Sequence, residues 1–118
     1  MKIMVVDDAA FMRMMIVKAL ETLPGIQVKE AEDGQKAFEL YKEFQPDITT
    51  MDITMPNVDG IEAVKLIRAH DPNARILMCS AMGQQAMVLE AIQAGAQGFI
   101  VKPFQPEKVL DEVKKLVK

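Results

Sequence analysis

The sequence contains a single cysteine, Cys79, so no disulfide can close within the chain, and a reducing compartment suits it. It also lacks a basic stripe or polybasic tail. Formal net charge is −3 with acids and bases interspersed, which disfavours direct binding to nucleic acid or to a membrane surface. Long hydrophobic runs are missing too: MKIMVVDD reaches two acids after a handful of apolar residues, too early for a signal peptide or a membrane span. No internal repeat, low-complexity tract or interdomain linker interrupts the chain. With 118 residues, 50% apolar and 26% charged, disorder is not expected. The expectation is a cytoplasmic protein folded as one domain over residues 1–118.

What is present is alternation. Short β-type runs, KIMVV, IQVKEA, DITTM, RILMCS and GFIVK, are separated by longer segments of helical period. Met12, Met15, Ile16, Ala19 and Leu20 recur at the spacing of one buried helical face. Further helices are expected over 34–44 with Ala37, Phe38 and Tyr41 inward, over 60–70 with Val64 and Ile67 inward, over 83–94 and over 106–117. Pro24-Gly25, Asp33-Gly34, Asp71-Pro72 and Gly95 punctuate the pattern, and Gly95 stands where a helix C-cap favours positive φ. Five β-α units predict a doubly wound α/β fold, a three-layer sandwich around a parallel five-stranded sheet. The flavodoxin-like order 2-1-3-4-5 is favoured at this length, with strands one and three central because IMVV and ITTM lack the charges of VKEAE.

Such sheets bind ligands outside the carboxyl ends of their strands. Strand one ends in Asp7-Asp8, strand three in Asp52, strand four in Ser80 and strand five in Lys102-Pro103. Each has a plainer reading by itself. Asp52 suits a turn, Asp7 or Asp8 a helix N-cap, Lys102 a solvated strand end, and Ser80 a backbone partner. Capping, however, needs only one acid of the pair, and all five at one edge are hard to assign to chance. Asp33, after strand two, reads as a turn or helix cap. Three crowded carboxylates repel unless a cation sits among them. Hard oxygen donors with open positions fit Mg²⁺ better than Zn²⁺, since Cys79 lies in a strand and His70 at a distant helix end. An acyl phosphate on Asp52 is then reasonable chemistry, with the metal and Lys102 neutralising phosphoryl oxygens and Ser80 donating to one of them.

Together VVDD, MDITMPNVDG, CSAMG and GAQGFIVKPF resemble response regulator receiver domains over essentially the whole chain. Within that family, AAFMRMM, SAMGQQAMV and VKPFQP are similar to single-domain chemotaxis regulators. The resemblance implies that Asp52 is the phosphoacceptor, a 4-aspartylphosphate site, and that Asp8 binds Mg²⁺ directly with Asp52. It implies that Asp7 binds largely through water, and that Thr54 offers its backbone carbonyl while its side chain tunes access of water. Ser80 and Lys102 would contact the phosphate, with a cis bond between Lys102 and Pro103. Met82 would influence hydrolysis, and Phe99, where the family often has Tyr, would be the switch aromatic without a hydroxyl for a partner. The implied partners are a chemotaxis histidine kinase (CheA-like), a flagellar motor switch protein (FliM-like) and a phosphatase (CheC- or CheX-like). The motor switch would be met by the face of helix four, strand five and helix five, including Gln84, Val88 and Phe99. The protein would be a monomeric phosphoacceptor that catalyses only its own phosphorylation and dephosphorylation. With no output domain after the last helix, its effector would be another protein.

A receiver in another two-component phosphorelay would share all of this chemistry and differ only in partner. A flavin mononucleotide carrier of the same fold is disfavoured because DDAAFM would repel a phosphate. A dehalogenase-type phosphatase would carry a second acid two residues after the nucleophile, and Thr54 stands there. Among the ten methionines, Met12 and Met15 read as core, while Met14 and Met87 fall off the stripe. Cys79 reads as an inert buried thiol, and His70 as a helix C-terminal residue rather than a phosphodonor.

Overall fold

The computed structural model describes residues 1–117 and contains ten alternating elements. These are β1 (Lys2–Val6), α1 (Ala10–Leu20), β2 (Gln27–Ala31), α2 (Gly34–Phe44), β3 (Ile48–Asp52), α3 (Gly60–His70), β4 (Ile76–Ala81), α4 (Gln85–Ala94), β5 (Gly98–Lys102) and α5 (Pro106–Leu116). The strands form one parallel sheet of order β2-β1-β3-β4-β5, the doubly wound arrangement expected from the alternation. β3 is buried throughout and β1 after its first residue, whereas edge strand β2 keeps Lys29 and Glu30 exposed.

The period of two in the strands divides the core. Met4, Val6, Met51, Ile76 and Met78 face α2, α3 and α4 and meet Ala37, Tyr41, Phe44, Val64, Ile67 and Ala91. Ile3, Val5, Ile48, Leu77, Cys79 and Ile100 face the opposite way and meet Ile16 and Leu20 of α1 with Val109 and Val113 of α5. Helix ends follow local chemistry. The side chains of Asp33 and Asp59 accept from the N–H groups of Lys36 and Glu62, Pro106 opens α5, and Gly95 closes α4 at φ 125°.

Several local expectations change. Helix α4 begins at Gln85 rather than residue 83, because Gly83 has φ +88° and Gln84 is not helical. Met15 is exposed, since the buried ridge of α1 runs through Ile16, Ala19 and Leu20 with only Val17 packed beside it. Conversely, Met87 is partly buried and packs against the core, while Met14 is exposed. Helix α5 ends at Leu116, with Val117 as its cap. No helix among the described residues is long and apolar enough to cross a membrane.

Candidate functional site

The parallel sheet delivers its strand ends to one edge. Asp7 follows β1 directly, Asp52 closes β3 and Lys102 closes β5, so residues separated by up to 95 positions converge. Carboxylate oxygens of Asp7, Asp8 and Asp52 lie within 4.8 Å of one another. The Lys102 ammonium donates to Asp7 Oδ2 at 2.9 Å and to Asp52 Oδ1 at 3.0 Å. Asp7 and Asp52 are buried, and Asp8 is exposed at the mouth. The Lys102–Pro103 peptide bond is cis.

One ammonium therefore faces three carboxylates. Burial pushes the Asp52 carboxyl above its ordinary range; the Lys102 hydrogen bond opposes this, and the charges of Asp7 and Asp8 reinforce it. For Lys102, burial works against the charged form, but its hydrogen bonds to Asp7 and Asp52 prevail and raise its pKa. An oxygen-only donor set with uncompensated negative charge fits a hard divalent cation such as Mg²⁺. Neither Asp7 nor Asp8 is the N-cap of α1, although Asp7 satisfies one backbone N–H at the helix entry. Ala9 is the N-cap of α1 and has no side-chain cap bond, while Asp7 Oδ1 accepts from the Ala9 N–H at 2.9 Å.

Ser80 stays outside this group. It is buried, and its hydroxyl donates to the Ile100 carbonyl at 3.4 Å. Thr54 is exposed, and its Oγ1 accepts from Gln84 Nε2 at 3.0 Å. Phe99 on β5 is 44% exposed and Met82 is 80% exposed. Both border a 340 Å³ groove beside Ser80, whose wall also includes Leu89, Ile92 and Val101. Val88, expected on the partner surface, is buried in the core and contributes to that groove from below. Leu89 and Ile92, which no sequence pattern singles out, are the exposed large apolar residues of α4.

Other supports also lie beyond sequence reasoning. Arg13 donates from Nη1 to the Asp7 carbonyl at 2.7 Å and from Nε to Glu30 Oε1 at 3.0 Å, holding the β1-α1 turn against β2. Asp33 is the cap that its position suggested, and it also accepts from Asn57 Nδ2 at 3.4 Å. The Gly34 N–H donates to the Val58 carbonyl and the Gly60 N–H to the Ile53 carbonyl, which folds the β3-α3 loop back beside Asp52. A Cβ on Gly60 would lie 2.0 Å from the Asp52 carbonyl oxygen. Only the glycine in VDG hinted at this close approach; the Arg13 contacts have no local signal.

Comparison with known proteins agrees with the geometry. The sequence model of the response regulator receiver domain matches residues 3–114. The chain belongs to the response regulator receiver family. It is 58% identical to the chemotaxis protein CheY of Thermotoga maritima, covering 99% of this chain and 98% of that protein. It is 60% identical to CheY of Bacillus subtilis, covering 97% and 95%. Among solved structures it resembles the CheX-CheY-BeF3-Mg²⁺ complex from Borrelia burgdorferi, with TM-score 0.92 and 36% identity over 99% of this chain and 89% of that one. These relatives make it a two-component response regulator of the chemotaxis type.

Proposed function

We propose that this receiver is a chemotaxis phosphorylation switch whose acceptor is Asp52. The observation that carries the reading is the Lys102 ammonium bridging Asp7 and Asp52 beside Asp8, at the strand ends of a chain of this family. The Asp52 carboxylate oxygen attacks phosphorus of a kinase phosphohistidine, the P–N bond breaks, and its electron pair returns to the imidazole of the donor. Acetyl phosphate serves as a small donor by the same displacement. Lys102, already on Asp52, neutralises a phosphoryl oxygen. Asp7, Asp8, Asp52 and the Thr54 backbone carbonyl would hold Mg²⁺, which when bound supplies further charge neutralisation to the transferring group.

The switch follows from differential contact. The Ser80 hydroxyl donates to the Ile100 carbonyl and not to Asp52. A phosphoryl group on Asp52 draws its hydroxyl and the β4-α4 loop inward. Phe99, half out beside an apolar groove, then turns into the space released. The altered surface of α4, β5 and α5 binds the flagellar motor switch, the unphosphorylated form binds the chemotaxis kinase, and a phosphatase of the CheC or CheX type resets the acceptor. The named complex of a 36% identical CheY with CheX supports that last partner. Thr54 and Met82 tune hydrolysis from the mouth of the site. The protein turns over no outside substrate; it is a signalling protein that acts on its own carboxylate.

The test is incubation with acetyl phosphate and Mg²⁺ followed by intact mass. One phosphoryl adduct is expected, absent from Asp52→Ala; equal adducts in both would overturn the assignment. Pulldown of the phosphorylated chain against motor-switch and kinase domains tests the partners, and equal capture of both phosphorylation states by the motor-switch domain counts against the switch.

A further inference from the structure

The Gln84 carboxamide spans the mouth of the pocket. Its Oε1 accepts from the Ala81 N–H at 2.6 Å and its Nε2 donates to Thr54 Oγ1 at 3.0 Å. The assignment of its oxygen and nitrogen is chemically determined at one end, because the Ala81 N–H is only a donor. Thr54 lies two residues after Asp52, and Ala81 follows Ser80. One side chain thus ties the loop of the phosphoacceptor to the loop of the hydroxyl that must reach it. Gln84 occupies the N-cap position of α4 yet makes no cap bond of its own; besides its bonds to Ala81 and Thr54, its Nε2 lies 3.9 Å from Met87 Sδ, one turn along the helix.

The bridge coexists with a retracted Ser80, whose hydroxyl donates to Ile100. Moving Ser80 toward Asp52 carries the Ala81 N–H with it, since the two share a peptide unit. From this geometry we infer that Gln84 is a positioning residue, a latch that holds the β4-α4 loop in the retracted state and limits how often the pocket becomes ready for phosphorylation. The inference rests on Asp52 being the phosphoacceptor. Once Asp52 is phosphorylated and Ser80 engaged, the Ala81 bond is already broken and the latch has no further effect. Gln84 therefore governs formation of the adduct and not its loss.

The test uses the full chain with acetyl phosphate and Mg²⁺, following both the growth of the adduct by intact mass and its decay after the donor is removed. Gln84→Met keeps the side-chain length and removes both bonds; Gln84→Ala is the second variant should the methionine repack. Loss of bonds worth about 1 kcal/mol should raise the rate of adduct formation about fivefold. The decay rate should stay at its wild-type value, while the unfolding midpoint should fall slightly, because the same two bonds stabilise the resting fold. In a Ser80→Ala background, which has no hydroxyl to recruit, the Gln84 substitution should leave formation unchanged. A merely structural role would lower the midpoint without raising formation, or would move formation and decay together. Unchanged formation in both Gln84 variants, or an equal change with and without Ser80, would overturn the latch while leaving the acceptor assignment standing. Failure of the unaltered chain to form any Asp52 adduct would overturn that assignment, and the latch with it.

Discussion

Lys102 and Asp52 stand fifty residues apart in the chain, yet the lysine ammonium lies 3.0 Å from the aspartate Oδ1, and the same nitrogen reaches Asp7 at 2.9 Å. One cation restrains two buried acids, while the third, Asp8, forms no ion pair among the described residues. The site is therefore short of positive charge before any phosphate arrives. That deficit makes its stability dependent on charge, metal and pH in ways that can be measured.

Asp52 is ionised at a cost. Its carboxyl is raised by burial above the usual range, and Lys102 only partly offsets this. A group raised on folding contributes stability below its unfolded pKa, and that contribution is lost as pH rises through the folded value. In EDTA at pH 7, Asp52→Asn should melt above the unaltered chain, and the gap should close as pH falls through the raised titration. Added Mg²⁺ should raise the melting temperature of the unaltered chain more than that of Asp52→Asn. A lower melting temperature for Asp52→Asn in EDTA at pH 7 would contradict this account of the charge.

Lys102→Ala removes the cation from two buried carboxylates. Breaking a buried pair from one side costs about 3 kcal/mol, which urea denaturation without metal should show. Mg²⁺ should recover part of the loss, because a divalent ion answers the same uncompensated charge. A variant as stable as the parent in EDTA would mean that the ion pairs contribute little.

Gly60→Ala places a methyl 2.0 Å from the Asp52 carbonyl oxygen, a backbone atom that cannot move without shifting the phosphoacceptor. The expected loss is about 3 kcal/mol by chemical denaturation, accompanied by slower phosphorylation from acetyl phosphate. Gly25→Ala is the contrast: φ is +67° but nothing lies within 4 Å, so its cost should be strain alone, about 1 kcal/mol.

Cys79 is buried, and its thiol is pushed up to about 12, chiefly by burial. The thiolate is the nucleophile, so at pH 8 the folded chain should resist alkylation by iodoacetamide, while urea should expose one reactive thiol. Rapid labelling of the native protein would contradict the packing.

Thr50 Oγ1 is buried in β3 without a hydrogen-bond partner among the described residues. Thr50→Val, nearly isosteric, removes that unsatisfied hydroxyl and should stabilise the chain by about 1 kcal/mol in urea unfolding. A loss of similar size would imply that the hydroxyl is satisfied in solution.

Much of this is legible in the sequence itself, for reasons that lie in local chemistry. Short β-type runs alternating with segments of helical period mark all ten elements, and α2 and α3 span the residues that the periodicity, Asp33-Gly34 and Asp71-Pro72 suggest. The lack of charge in IMVV and ITTM points to the central strands, and VKEAE to the edge. Once the sheet is parallel, its topology obliges Asp7, Asp52 and Lys102 to emerge at one end.

Distances and rotamers are not legible there, because they depend on packing between residues far apart in the chain. Nothing local tells that Ser80 turns to Ile100, that Gln84 joins Thr54 to Ala81, or that Arg13 holds the Asp7 carbonyl. The helical stripe likewise misassigns Met15, which is exposed, while Met87, which falls off it, packs against the core. Periodicity and residue type selected the elements and the chemistry at their ends; close packing then decided which polar atoms met, since a buried donor or acceptor takes the partner that the fold places within reach.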